Sequence, residues 1–163
     1  MTEVQLQLLK QSDYSMVLEM FREPDTFKYI KPLQGKSKEF YLEFLNRKST
    51  EIELGKGYYW LLMFSGEMAG AINFTPIPNT DQMQLGWQIK RDHQRKGLAF
   101  EGARRAMEFA LNKTDVDPIY VVFNPENVAS QKIAEKLGFT LFEKFGTKED
   151  PLLKYIYRRK GEV

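Results

Sequence analysis

The sequence contains no cysteine and only one histidine, His93, among its 163 residues. The absence of cysteine excludes disulfide bonds, thiolate metal sites and a cysteine nucleophile. With one histidine, neither a metal site built from several imidazoles nor a serine–histidine–aspartate triad is a favoured hypothesis. The chemistry of this chain is therefore expected to come from other residue types, without a metal ion.

The chain also has little net charge, +2 at pH 7. Proteins that bind nucleic acid by broad electrostatic attraction are usually far more basic, so we expect no nucleic-acid partner. No apolar run approaches the ~20 residues that a membrane-spanning helix requires. Residues 1–15 lack the basic segment and apolar stretch of a secretory signal. These absences predict a cytoplasmic protein without a membrane partner.

The residues that are present are typical of one globular domain. Hydrophobic residues make up 42% of the chain and charged residues 28%. No linker rich in proline, glycine or serine divides the sequence, and its length suits a single core. We therefore expect one domain over residues 1–163, acting as a monomer or a homodimer.

Hydrophobic periodicity predicts the element order β-α-α-β-β-β-α-β-α-β-β. Ser37 is a suitable N-cap for the second helix. Residues 83–89 alternate between apolar and polar side chains, as in a strand with two different faces, whereas 118–123 is a continuous apolar run typical of a strand covered on both faces. The result is an α/β fold: a mixed sheet with helices on both faces.

The most informative stretch is 91–110, where a basic turn leads directly into a helix. Gly97 permits a backbone angle that other residues avoid, and Ala99 keeps the first helical turn thin. Free N–H groups at a helix start, with the positive end of the helix dipole behind them, bind anions, most often phosphate. A Walker loop and a dinucleotide-binding motif do not match this turn. Its basic residues alone would also fit a solvated turn.

Two motifs resemble the GNAT superfamily of acetyl-CoA-dependent N-acetyltransferases. QRKGLA is similar to the pyrophosphate-loop motif R/Q-x-x-G-x-G/A. NPENVASQKIAEKLGF is similar to the N-x-x-S…E-K-x-G-F segment of the branch that contains the ribosomal-protein N-terminal (alanine/serine) acetyltransferases. The matching residues are Gln94, Gly97, Ala99, Asn127, Ser130, Glu135, Lys136, Gly138 and Phe139. The predicted order of elements is also that of the family, so the resemblance covers nearly the whole chain.

The resemblance implies a seven-stranded, mostly antiparallel sheet that splays open in the middle, and acetyl-CoA as co-substrate. The pantetheine arm would lie in the gap, paired with the backbone of Ile89 and Lys90, and the side chain of Asn127 would bond it. For Asn127 the alternative is a helix N-cap. The turn before the helix would hold the pyrophosphate, chiefly through backbone amides, with Gln94, Arg95, Lys96, Gly97, Leu98 and Ala99 as the cofactor-binding residues.

The resemblance further implies direct attack of a primary amine on the thioester in a ternary complex, but two positions depart from the family's pattern. Ala134 stands where many members have a tyrosine that protonates the thiolate, so Ser130 becomes the candidate to hydrogen-bond the sulfur; its alternative is a solvent-facing hydroxyl. Gln84 stands where related enzymes often have a glutamate base, and an amide cannot titrate. Glu53 and Glu126 are substitute candidates for the base.

The acceptor is the least determined part of the prediction. Without a base at Gln84, an α-amino group, with a pKa of roughly 7.7–8.0, is easier to use than a lysine, with a pKa of ~10.4. A peptide N-terminus is therefore expected, and a small-molecule amine is the alternative. A non-catalytic acyl-CoA-binding module also remains open. The candidates to line the acceptor groove are Phe27, Tyr29, Tyr58 and Tyr59, whereas Trp60 is expected to fill the core.

Overall fold

The computed structural model describes residues 3–160, so the two ends of the predicted domain lie outside the described residues. The strands are β1 (Val4–Leu8), β2 (Tyr58–Phe64), β3 (Glu67–Pro76), β4 (Met83–Ile89), β5 (Ile119–Phe123), β6 (Thr140–Gly146) and β7 (Pro151–Tyr157). The helices are α1 (Tyr14–Phe21), α2 (Lys38–Glu53), α3 (Leu98–Lys113) and α4 (Val128–Lys136). This order confirms the one that periodicity predicts.

The strands form one sheet in the order β1-β2-β3-β4-β5-β7-β6. Neighbours pair antiparallel except β4 and β5, which run parallel. The register between β4 and β5 joins Met83–Leu85 to Ile119–Val121, although both strands continue further. The sheet therefore splays open beyond Leu85, and the predicted fold class is confirmed.

Helices cover both faces of the sheet, as strand β2 illustrates. Tyr59 and Leu61 belong to a core shared with α1 and α2. Their neighbours Trp60 and Leu62 point the other way, into a core shared with α3. Because successive side chains of a strand alternate between the two faces of the sheet, each face is hydrophobic and is covered by its own helices.

Helix α3 lies very close to the sheet because its inner face is made of small residues. Ala103 and Ala106 are fully buried, as their spacing predicts. Gly102 makes the closest approach: a Cβ there would lie 2.8 Å from Cδ1 of Ile72. This contact with β3 fixes the start of α3 beside the gap in the sheet.

The other end of α3 is closed by Arg159, which follows β7. Its guanidinium donates hydrogen bonds of 2.8–3.0 Å to four backbone carbonyls, those of Ala110, Leu111, Thr114 and Val116. The last carbonyls of a helix have no intrahelical partner and carry the negative end of the helix dipole, so this cation supplies both hydrogen bonds and an opposite charge.

None of the helices within residues 3–160 is both long and apolar enough to cross a bilayer.

Candidate active site

The turn before α3 has the backbone conformation expected of an anion-binding loop. Gly97 occupies the N-cap position with φ of +75°, and Arg95 also has a positive φ, +65°. The first hydrogen bond of the helix runs from the amide of Glu101 to the carbonyl of Gly97, at 3.1 Å. The N–H groups just before Glu101 therefore have no intrahelical acceptor and are free to receive an anion.

Gln94 ties this loop to the end of β4. Its amide donates to the carbonyl of Arg91 at 3.2 Å, and its side-chain Nε2 donates to the carbonyl of Ile89 at 3.1 Å. The residue thus shapes the loop through its side chain. Its backbone amide and one of its two side-chain N–H groups are therefore already bonded within the protein.

The backbone of β4 decides which residues face the gap. The amide of Lys90 donates to the carbonyl of Ala69 on β3, at 2.8 Å. Because residues of a strand alternate in hydrogen-bonding direction, Trp87 and Ile89 turn their backbone groups toward the gap. The Lys90 amide, predicted to pair with the cofactor, is therefore bonded within the sheet, and the backbone groups directed into the gap are those of Ile89 and of Trp87, which was not among the predicted residues.

On the other side of the gap, Ser130 and Asn127 begin helix α4. The Asn127 side-chain oxygen accepts a hydrogen bond of 3.2 Å from the Ser130 amide, so Asn127 is an N-cap, as its alternative interpretation states. Ser130 is 8% exposed. Its Oγ accepts a hydrogen bond of 3.2 Å from Nε1 of Trp87. The alternative of a solvent-facing hydroxyl is wrong.

Asn124 was not among the predicted site residues, yet it shapes this side of the gap. It is buried at the end of β5, and its side-chain oxygen accepts from the amide of Glu126 at 2.8 Å. Its carbonyl accepts from the amide of Asn127 at 2.9 Å. An asparagine that folds back onto the backbone two residues later is a known turn former, and here it sets the start of α4.

A row of neutral polar groups lies on the face of β3 and β4 that is directed toward α1 and α2. Gln84 is in register with Thr75 on β3, and Thr75 Oγ1 is 2.9 Å from the Asn73 side-chain nitrogen. Gly86 lies beside them, and a Cβ there would lie 2.5 Å from Oδ1 of Asn73. We call Asn73, Thr75, Gln84 and Gly86 the polar row; it contains no carboxylate.

The two substitute candidates for a base are not joined to the polar row. Glu53 ends α2 and Glu126 precedes α4; both are exposed. Across the part of the chain that the structure describes, neither carboxylate forms a hydrogen bond. No cluster of metal-ligating side chains occurs within residues 3–160 either.

The connection between α1 and α2 crosses the open end of the gap. Asp25 forms an ion pair of 3.0 Å with Arg91, just after β4. Further along the connection, the Lys31 ammonium contacts the carbonyl of Glu149 in the turn between β6 and β7. Since β7 starts beside the end of β5, residues 25–31 extend from one side of the splayed sheet to the other.

Most of the predicted aromatic set fills the two cores. Tyr58 and Trp60 stack on each other and lie against Phe109 of α3, with ring centroids 4.7 and 5.2 Å from that residue. Phe27 and Tyr59 are buried in the core under α1 and α2. Tyr29, in the crossing connection, keeps intermediate exposure. It is therefore the best-placed member of the set for contact with an acceptor.

His93 packs into the turn before α3. Its side chain is 12% exposed, with Nε2 3.6 Å from a carboxylate oxygen of Glu67. The ring of Phe64 meets it edge-on, at a centroid distance of 6.2 Å. These contacts give His93 a structural role, because they attach the turn to the hairpin of β2 and β3.

A gap in the sheet beside a helix start with free amides is a site suited to a ligand that carries phosphate. The sequence matches the acetyltransferase (GNAT) domain over residues 3–140. The chain belongs to this family, whose members transfer an acetyl group from acetyl-CoA, and the protein is accordingly an acetyltransferase. This assignment favours an enzyme over the alternative of a non-catalytic binding module.

Curated relatives agree with this assignment. The chain is 27% identical over 147 residues to the uncharacterized protein YkkB of Bacillus subtilis, covering 87% of this chain and 83% of YkkB. It is 34% identical over 79 residues to the uncharacterized N-acetyltransferase YjdG of the same organism, covering 48% of this chain and 47% of YjdG. The second likeness is the higher in identity but spans about half of each protein.

Solved structures share the fold across nearly the whole chain. The ribosomal L7/L12 α-N-protein acetyltransferase RimL in complex with coenzyme A has a TM-score of 0.82 at 17% identity, covering 95% of this chain and 93% of that one. The spermidine N-acetyltransferase of Vibrio cholerae with CoA and spermine has a TM-score of 0.79 at 15% identity, covering 96% and 95%. At these identities the likeness establishes the fold and leaves the acceptor open.

Proposed function

We propose that the protein acetylates the α-amino group of a peptide or protein, with acetyl-CoA as co-substrate. The observation that carries the proposal is the polar row, in which Gln84 offers a neutral amide where a general base would be expected and none of the four residues is a carboxylate. An enzyme built this way depends on an amine that is already partly neutral. An α-amino group meets that condition better than a lysine side chain does.

The co-substrate would be held by backbone groups of β4 and of the loop that follows it. The amides of residues 95–99 would bind the pyrophosphate, helped by the positive end of the α3 dipole. The backbone of Trp87 and Ile89 would pair with the pantetheine arm, since these residues turn toward the gap. Gln94 would act indirectly, because its bond to Ile89 fixes the loop relative to β4.

The reaction would begin when the neutral amine attacks the thioester carbonyl carbon. A backbone amide on β4 would stabilise the oxyanion of the tetrahedral intermediate. The C–S bond then breaks, and the electron pair leaves with the thiolate. Ser130 would donate a hydrogen bond to that sulfur, and the surplus proton of the amine would pass to water.

The difference between the two amines is large enough to decide the acceptor. Their ordinary pKa values differ by about 2.5 units, which corresponds to ~3.4 kcal/mol of deprotonation. A polyamine is a further alternative, as the spermidine enzyme of similar fold illustrates. Polyamines carry additional ammonium groups, which buried sites normally pair with carboxylates. The neutral polar row favours a peptide over such a substrate.

The proposal is tested with two matched peptides, one with a free N-terminus and acetylated lysine, the other with an acetylated N-terminus and free lysine. Thiol release from acetyl-CoA is followed at about pH 7, where the neutral fraction of the α-amine is about 300-fold that of the lysine. We expect transfer to the free N-terminus, with a rate that follows the acceptor's own titration. Preference for the lysine peptide, or for spermidine over both, would refute the proposed acceptor.

A further inference from the structure

Two residues from opposite sides of the gap meet in a side-chain hydrogen bond. Trp87 lies on β4 beyond Leu85, where the register with β5 ends. Ser130 lies in the first turn of α4. The indole Nε1 of Trp87 donates to Oγ of Ser130 at 3.2 Å. The bond therefore joins the two elements between which the reacting thioester would lie.

The chemistry of the indole group fixes the direction of this bond. An indole N–H can only donate, whereas a serine hydroxyl has one proton and two acceptor lone pairs. Ser130 Oγ must therefore accept from Trp87, and its own proton remains for another acceptor. No hydrogen bond within residues 3–160 uses that proton. Because Ser130 is 8% exposed, bulk water has little influence on where the proton points.

Both partners are held in place by other contacts. The Trp87 side chain packs against the core shared with α3. The Ser130 backbone is capped by Asn127 at 3.2 Å, and Asn124 fixes the turn before it. A donor and an acceptor that are both restrained lose little freedom when they bind a third group.

We propose that Trp87 is a positioning residue that directs the hydroxyl proton of Ser130 toward the departing sulfur. The inference rests on the acetyl transfer proposed above and extends it to a residue outside the predicted site. A hydrogen bond donated to a hydroxyl oxygen polarises that hydroxyl, which then donates more strongly to a third group. The hydrogen bond from Ser130 becomes stronger as negative charge develops on the sulfur, so it stabilises the transition state more than the bound substrate.

The proposal is tested by a double-mutant cycle of Trp87→Phe and Ser130→Ala. Phenylalanine keeps an aromatic ring but removes the N–H donor. Each single variant should lower kcat about 5- to 10-fold, the loss expected for one hydrogen bond, with the KM for acetyl-CoA nearly unchanged. The double variant should be no slower than Ser130→Ala, because one interaction cannot be lost twice. Trp60→Phe, in the α3 core, is the control and should retain kcat.

The outcomes separate this inference from the function on which it rests. If the wild-type enzyme is active, an unchanged kcat in Trp87→Phe would overturn the positioning role. So would a kcat in the double variant that is lowered by the product of the two single losses. A wild-type enzyme that acetylates no amine would instead refute the proposed function. Thermal unfolding of each variant identifies any loss of activity that arises from loss of fold.

A second measurement does not depend on activity. The chain contains two tryptophans, so the indole region of a ¹⁵N spectrum should show two N–H signals, which Trp60→Phe assigns. Ser130→Ala should shift the Trp87 indole signal and speed its exchange with water, while the Trp60 signal stays in place. A Trp87 signal that does not respond to Ser130→Ala would show that the bond is not formed in solution, and would overturn the proposal.

Discussion

The side-chain amide of Gln94 donates a hydrogen bond of 3.1 Å to the backbone carbonyl of Ile89. This bond sets the distance between β4 and residues 94–99, the turn that would bind phosphate, which we call the phosphate loop. One bond thus connects the two backbone segments that would hold a CoA molecule. Its loss should leave the fold intact while loosening the loop, because Gln94 is exposed and contributes little to either core.

Replacing Gln94 with alanine should therefore weaken CoA binding about 5-fold, corresponding to the ~1 kcal/mol of one hydrogen bond. Titration calorimetry measures the affinity, and the midpoint of thermal unfolding should change little. Gln5→Ala, at an exposed position of β1, is the matched control and should bind CoA as the wild type does. Equal affinity in Gln94→Ala would mean that the loop keeps its shape without this bond.

Gly97→Ala tests the backbone angle of the phosphate loop alone, because the added methyl group clashes with no other residue. At Gly97, with φ of +75°, an added Cβ would meet nothing within 4 Å. Gly55 has nearly the same properties, with φ of +67° and open space around it, but it follows α2. Both alanine variants should lose about 1 kcal/mol of unfolding free energy through backbone strain.

CoA affinity should separate the two glycine variants. Gly97→Ala should bind CoA at least about 10-fold more weakly, because relief of the strain moves the amides that face the phosphates. Gly55→Ala should bind normally. Calorimetry on both proteins checks the expectation, and similar affinities for the two variants would exclude the loop as the phosphate site.

Tyr59→Phe should leave the protein as stable or make it more stable. The Tyr59 hydroxyl is buried and has no hydrogen-bond partner among the described residues, so its removal abolishes a desolvation cost. Tyr14 is the matched comparison, since its hydroxyl is 2.6 Å from Oγ of Ser49 and also donates to the carbonyl of Leu45. Tyr14→Phe should cost about 1–2 kcal/mol in urea unfolding. A large loss in Tyr59→Phe would reveal a partner of that hydroxyl.

The same residue predicts a dependence on alkaline pH. Burial raises the pKa of Tyr59 well above its usual range. In the unfolded chain this hydroxyl ionises around pH 10, so the folded state holds the proton more tightly and loses relative stability as the pH rises beyond that value. Below pH ~10 the group has no such effect. Tyr59→Phe should reduce the fall in unfolding free energy above that pH.

Arg159→Ala should destabilise the protein by about 2–4 kcal/mol, because four backbone carbonyls at the end of α3 lose a charged donor. Arg159→Lys should recover part of this loss, since an ammonium keeps the charge but not the planar set of donors. Arg158→Ala, at the exposed neighbouring position, is the control and should change stability by less than about 0.5 kcal/mol. Urea unfolding measures all three variants.

Local patterns were sufficient to predict the fold. The predicted cap at Ser37 forms, with its Oγ accepting from the Phe40 amide at 3.1 Å. Gly97 has the left-handed backbone that a phosphate turn requires. Both features depend on residues close together in the sequence, so periodicity and turn chemistry suffice to predict them.

Other features of the candidate site depend on contacts that local patterns do not contain. Trp87 and Ser130 are 43 positions apart, and their meeting follows from the packing of α4 against the gap. The choice between Lys90 and Trp87 depends on which backbone groups bond to β3, and a strand pattern gives the side-chain faces but not that direction. Tyr58 was a candidate for the groove because an aromatic stripe does not identify which helix covers it, whereas Trp60 was expected in the core and lies there.

The short register between β4 and β5 divides the sheet into a four-stranded half and a three-stranded half. Beyond Leu85 the halves are linked by side chains, Trp87 to Ser130 and Lys31 to Glu149. At the opposite, paired end, Arg159 bonds the end of α3. A CoA arm bound along Trp87 and Ile89 would act as a short additional strand and make the sheet continuous. Co-substrate occupancy would then determine whether the two halves open independently or unfold as one cooperative unit.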